Sequence, residues 1–148
     1  MSHTPTSGET ASTLPGDDAA VLVRRFFEAQ DAGDLAVIDR CTSGDFRLYA
    51  AGAPPLDREG LRAFSATFYG AFPDLHHSFL RQVTSDGLVA SHVRLRGTQR
   101  GEFQGIPATG ASIDVTAMQF TRVKDGRLVA HWTVIDRLGL MEQLGVRP

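Results

Sequence analysis

The sequence predicts an α+β domain in which helices come first, a meander of antiparallel strands follows, and the helices gather on one face of the sheet. Three observations carry this. Between residues 17 and 72, apolar side chains recur at helical spacing behind aspartates suited to capping. From residue 76 onward, β-prone runs dominate. Asp86-Gly87 and Asp125-Gly126 each lie between two such runs, where the pair favours the backbone twist of a tight hairpin.

Taken in order, residues 1–16 are rich in Ser, Thr, Pro and Gly and hold, after Met1, one large apolar residue, Leu14. Such a segment buries too little to offset its ordering entropy, so a mobile tail is expected there, with His3 in it. Residues 17–148 then form a single domain. Asp17 or Asp18 caps a helix carrying Val21, Leu22, Arg25, Phe26 and Ala29, which Gly33 stops. Asp34 caps a short second helix, Leu35 to Arg40. Phe46, Leu48 and Ala50 alternate as a short strand. Asp57 caps a third helix with Leu61, Phe64 and Phe68 on its core-facing stripe. Strands are expected at 76–84, 88–98, 112–123 and 127–136. A glycine-rich loop spans Gly97 to Gly110, and a closing helix or turn is expected from Leu138 to Leu144.

Composition excludes several classes of function. The 148 residues carry a net charge of −2 with scattered basic residues, so there is no footprint for nucleic acid. No apolar run approaches the ~18 residues of a membrane span. The N-terminus lacks the layout of a signal peptide, and a cytoplasmic protein is expected. Cys41 is the only cysteine and reads as an inert, partly buried thiol. No histidine or carboxylate spacing resembles a metal site, and no metal is expected. The glycine-spaced stretches 101–105 and 105–110 do not lead from a strand into a helix, so they are not phosphate cradles.

The hairpin at Asp125-Gly126 points to the chemistry. With Lys124 opposite Arg127, Val123 faces Leu128, Gln119 faces Trp132 and Val115 faces Asp136. Alternation then puts Trp132, Val134 and Asp136 on one face with Val115, Ala117, Gln119 and Thr121. A carboxylate among apolar neighbours has a raised pKa and is poised to move protons near neutral pH. The alternative is that Asp136 caps the helix beginning at Arg137. By the same parity His131 points away from that face. His92 shares a polar face with Arg94 and Arg96, opposite Val89, Val93 and Leu95, and the adjacent His76 and His77 diverge. Of the aromatics Phe26, Phe27, Phe64, Phe68 and Phe72, most belong to the core and some line the pocket.

Four segments together resemble the SnoaL-like polyketide cyclases of the nuclear-transport-factor-two-like superfamily. They are Phe72-Pro-Asp-Leu75, the run Gly97 to Gly110, Asp125 to Trp132 with Asp136, and Gln143-Leu-Gly145. The resemblance spans about residues 18 to 146. It implies a half-open cone, a strongly curved antiparallel sheet with N-terminal helices over a central apolar pocket, and a homodimer through the outer sheet face. It also implies a cofactor-independent, aldol-type ring closure on a polyketide-like molecule of secondary metabolism. Asp136 is then the acid/base, and Gln119, or failing it Gln99 or Tyr49, donates to the developing oxyanion. Trp132, Tyr49, Phe26, Phe68, Phe72, Gln99, Val93 and Ala117 are expected to line the site of a hydrophobic small-molecule substrate. The chain departs from the family pattern at Gln99, where many relatives carry histidine, and at His92, where they usually carry arginine. An isomerase, a water-activating hydrolase and a binding module without chemistry are the other readings.

Overall fold

A computed structural model of the chain describes residues 14–146. The expected tail lies outside the described residues as far as residue 13, His3 included. Four helices and five strands follow: α1 (Asp18–Asp31), α2 (Val37–Cys41), β1 (Thr42–Ala50), α3 (Arg58–Ala71), β2 (His76–Ser85), β3 (Leu88–Thr98), β4 (Ser112–Lys124), β5 (Arg127–Ile135) and α4 (Arg137–Gln143).

The helix starts follow from side-chain capping. Asp17 accepts from Ala20 N at 2.8 Å and Asp57 from Gly60 N at 2.8 Å, each satisfying a first-turn amide that the helix itself leaves unpaired. Gly33, at φ +91°, takes the left-handed turn after α1 that a side chain would resist. The second helix differs from expectation. It begins at Val37 behind Ala36, and Asp34 pairs instead with Arg40 at 2.6 Å. Ala20, Val23, Phe26 and Gln30 form the buried stripe of α1, while α3 buries Leu61 and Ser65 with Phe64 and Phe68 beside them.

The strands form one curved, unclosed sheet in the order β1-β5-β4-β3-β2. All pairs are antiparallel except β1 with β5, which run parallel. Both Asp-Gly turns adopt positive φ at both residues, 49° and 75° at Asp86-Gly87 and 52° and 73° at Asp125-Gly126. That is the twist-matched hairpin geometry the sequence predicts.

The register shifts between Thr42 and Arg47 where β1 meets β5, and at one bulge each on β2 and β5. On β2, Leu80 is an extra residue between Phe79↔Val93 and Arg81↔His92. On β5, Val129 is extra between Val123↔Leu128 and Arg122↔Ala130. Each bends its strand and adds to the curvature. The second also corrects the expected pairing: Gln119 faces Thr133 and Phe120 faces Trp132. Because side chains alternate with a period of two, that single insertion turns every later β5 residue to the opposite face.

The inner face of the sheet thus carries Ile113, Val115, Ala117, Gln119 and Thr121 of β4 and His131 of β5, all buried. The outer face exposes Tyr49, Met118, Phe120, Trp132 and Val134. No helix among the described residues is long and apolar enough to cross a membrane.

Candidate active site

Between the inner face and helices α1 and α3 lies a cavity of about 330 Å³. Phe26, Phe27, Leu61, Phe64, Phe68 and Leu95 supply much of its apolar wall. Polar groups enter that wall at Gln30, Ser65, Tyr69, His77, Gln119, His131 and Thr133.

Two of these polar groups, Tyr69 and His77, converge on Asp31, the last residue of α1, which lies behind the wall. Its carboxylate accepts from the Tyr69 hydroxyl at 2.6 Å and from the His77 backbone N–H at 2.8 Å, and lies 2.8 Å from His77 Nδ1. The Asp31 and His77 side chains are only 10% and 8% exposed. Burial by itself raises the Asp31 pKa, but the hydrogen bonds and charge of His77, together with the Tyr69 hydroxyl, outweigh it and hold the carboxyl below its ordinary value. The Tyr69 phenol is pushed up, first by burial and then by Asp31, so it stays a donor. With Asp31 ionised, the proton of a neutral His77 resides on Nδ1. Nε2 is left as a lone-pair acceptor with no hydrogen-bond partner among the described residues.

His131 sits close by, with Nδ1 2.8 Å from Thr121 Oγ1. Burial, reinforced by the charge of His77, lowers its pKa to about 4, so it is neutral at pH 7. Phe27 packs against both imidazoles, with ring centroids 4.8 Å from His77 and 5.5 Å from His131. Gln119 Oε1 is buried without a partner, the one such side-chain oxygen among the described residues. A pocket with an oriented imidazole, a neutral imidazole and an unsettled amide is equipped to move a proton and to hydrogen-bond a polar group on an otherwise apolar guest.

The comparisons with known proteins agree with this architecture. Residues 20–144 match the SnoaL-like polyketide cyclase family. The chain belongs to that family. Among solved structures it is similar to IdmH of Streptomyces antibioticus, a candidate polyketide cyclase, at 32% identity and a TM-score of 0.78, covering 88% of this chain and 100% of that one. It is also similar to AclR of Streptomyces galilaeus, a candidate hydroxylase, at 26% identity and a TM-score of 0.81, with 88% and 98% covered. TsrD of Streptomyces laurentii aligns at 26% identity and a TM-score of 0.79, with 90% and 98% covered. No curated protein matches.

Within this SnoaL-like chain the structure brings together some of the expected site residues and separates others. Phe26, Phe68, Ala117 and Gln119 line the cavity. Asp136 does not. It is exposed and caps α4, accepting from Gly139 N at 2.9 Å; a Cβ at residue 139 would collide with the carboxylate, so glycine there makes room for the cap. The Val129 bulge is the reason the expected inward orientation fails. The same slip carries Trp132 to the outer face, where it stacks on Tyr49 with centroids 5.5 Å apart and an interplanar angle of 14°. Tyr49 is therefore outside the pocket as well. Phe72 and Val93 are fully buried in the core and do not reach the cavity. Gln99 is fully buried in the 99–111 loop, donating to Gly101 O at 3.2 Å and Ile106 O at 3.0 Å, so it rivets that loop.

His131, expected on the far face, is one of the inward residues, again because of the bulge. Asp31, Tyr69 and His77 were not anticipated as site residues. One signal was present: Leu75, His77 and Phe79 share parity at the start of β2, so a strand with Leu75 inward carries His77 inward too.

Proposed function

We propose that this SnoaL-like chain closes a ring in a polyketide-like substrate by acid/base chemistry, with His77 as the base. The observation that carries the reading is the Asp31–His77 pair, 2.8 Å apart and buried, with His77 on the wall of an apolar cavity. Nε2 of His77 takes a proton from a carbon flanked by carbonyls, and the resulting enolate attacks an internal carbonyl carbon. The imidazolium, stabilised by Asp31, then returns the proton to the new alkoxide. Gln119 donates its amide N–H to the enolate oxygen, and the aromatic wall holds the chain folded. Positioning of this kind contributes up to ~7–11 kcal/mol in good cases. Asp136, facing solvent, has no part in it.

The test is product analysis with a linear aromatic poly-β-ketone. Wild type is expected to yield one ring-closed isomer, and His77→Ala the mixture of the uncatalysed reaction. An unchanged rate and isomer ratio in that variant would remove the mechanism. Running the reaction in ¹⁸O-labelled water separates ring closure from hydrolysis, because only hydrolysis places the label in the product.

We also propose that a second copy of this chain covers the outer sheet face. Met118, Phe120 and Val134 there are 58%, 52% and 58% exposed, contiguous with Trp132 and Tyr49. An apolar patch of that kind marks an interaction surface more often than bare solvent.

A further inference from the structure

We infer that Arg137 and Gln104 form an anion anchor at the pocket mouth, so that the substrate joins an apolar body to a negatively charged outer end. This rests on reading the cavity as the reaction site, and it adds the class of molecule that enters. Most of the cavity wall is buried or half-buried; the exposed members, Ala51, Gly52, Ala53, Gln104 and Arg137, mark its opening. Arg137 is the only Lys, Arg, Asp or Glu among the lining residues. A charge on the guest therefore meets one fixed partner, and that partner is positive.

The guanidinium is held but not neutralised. Arg137 Nη2 donates to Gln104 Oε1 at 3.1 Å, and no carboxylate lies within ion-pairing distance among the described residues. A guanidinium has five N–H donors in a planar fork, so one bond to a neutral amide leaves the fork free for a carboxylate or phosphate.

The backbone beneath Gln104 points the same way. Gln104-Gly105 is a two-residue turn closed by Phe103 N to Ile106 O at 3.0 Å and Ile106 N to Phe103 O at 2.8 Å, with φ +49° and +82° at its centre. Turns with both central residues left-handed favour Asn, Asp or Gly in the first position. Gln is sterically less suited, and its longer side chain is what spans to Arg137. Strain of this sort at a cavity mouth is a reason to look for function.

The loop is also held firmly. Phe103 is buried against Phe68 and Phe72, Gln99 ties the loop from inside, and Gly101 lies so close to the end of α3 that a Cβ would come within 2.5 Å of Gly70 O. The turn thus presents Gln104 at a fixed place.

The test compares 2-naphthoic acid with its methyl ester by calorimetry at low ionic strength. The acid is expected to bind wild type about tenfold more tightly, the range of a charge-assisted bidentate contact at a partly exposed site. In Arg137→Gln the two affinities should converge while that for the ester holds, which also shows the variant is folded. Arg137→Lys should retain part of the preference, and added salt should reduce it in wild type. A pantetheine 2-naphthoate thioester with and without its 4′-phosphate tells whether the anion is the substrate's own carboxylate or the phosphate of a carrier tether. Equal affinity for acid and ester in wild type, and for the thioester with and without phosphate, would overturn the anchor but leave the pocket standing. So would an acid preference that survives Arg137→Gln. Binding of neither probe would overturn both.

Discussion

Asp31 and Asp136 are both aspartates at helix ends, and the two ends of the molecule use them in opposite ways. Asp31 closes α1 and turns inward, where three donors from Tyr69 and His77 converge on its carboxylate. Asp136 opens α4 and turns outward, where its carboxylate accepts one backbone N–H of its own helix. Local sequence is compatible with either fate for either residue. What separates them is which strand arrives beside them: the start of β2 brings His77 against Asp31, while the bulge in β5 leaves Asp136 facing water. A carboxylate's surroundings are thus set by long-range register.

The most damaging test of this contrast is at the buried end. His77→Ala is expected to lower the rate of ring closure by about 10²–10⁴-fold, the usual contribution of a positioned general base. Asp31→Asn should approach that loss, because an amide no longer holds the proton on Nδ1 by charge and no longer stabilises the imidazolium. Initial rates by chromatography, with circular dichroism to verify folding, check both. Full activity in a folded Asp31→Asn variant would reduce the pair to a structural contact.

Much of the fold was legible in the sequence, and much of the site was not. The four long strands follow from two Asp-Gly pairs, whose left-handed backbone few other dipeptides tolerate. The caps at Asp17 and Asp57 follow from local hydrogen bonding. The nine-residue β1 and its parallel pairing with β5 were not legible, because only Phe46, Leu48 and Ala50 show the alternation. The Val129 bulge was equally silent. Val129 and Ala130 are both half-buried and fit either face, so nothing in Arg127-Leu-Val-Ala-His131 marks the extra residue. From that one residue follow the reversed orientations of Trp132, His131 and Asp136. Gln99 misled for another reason: a polar side chain in a loop suggests a ligand, yet this one satisfies the loop's own carbonyls.

The two sides of the sheet supply the next test. Phe120→Asp places a charge on the outer face and should convert a dimer to a monomer, with sedimentation velocity as the readout. Its inner neighbour Gln119 is unaffected, so the cavity should survive. A wild-type chain that sediments as a monomer would remove the proposed second copy.

A smaller effect concerns pH. His131 is held at about 4 in the folded chain, below its ordinary 6.5, by burial and the charge of His77. The unfolded chain takes up a proton that the native chain refuses, so stability falls as pH drops from 6.5 towards 4. The slope for this one proton is at most about 1.4 kcal/mol per pH unit. Asp31 acts lower down: its pKa is depressed, so its contribution fades only as pH falls below its ordinary 3.8. Urea midpoints measured between pH 7 and 4.5 should show the slope, and His131→Gln should flatten it. An unchanged slope in that variant would assign the dependence to another group.

The smallest expected effect cuts most sharply at the exposed end. Asp136→Ala removes an N-cap and should cost about 0.5–2 kcal/mol of stability, whereas Asp136→Asn, which caps nearly as well, should cost a few tenths. Neither should slow ring closure, since the carboxylate faces solvent and its one hydrogen bond is to Gly139 N. Denaturant melts and initial rates on the same two variants separate the roles. A folded Asp136→Asn variant without turnover would mean that β5 presents this carboxylate inward during the reaction, and the assignment of the base to His77 would have to be given up.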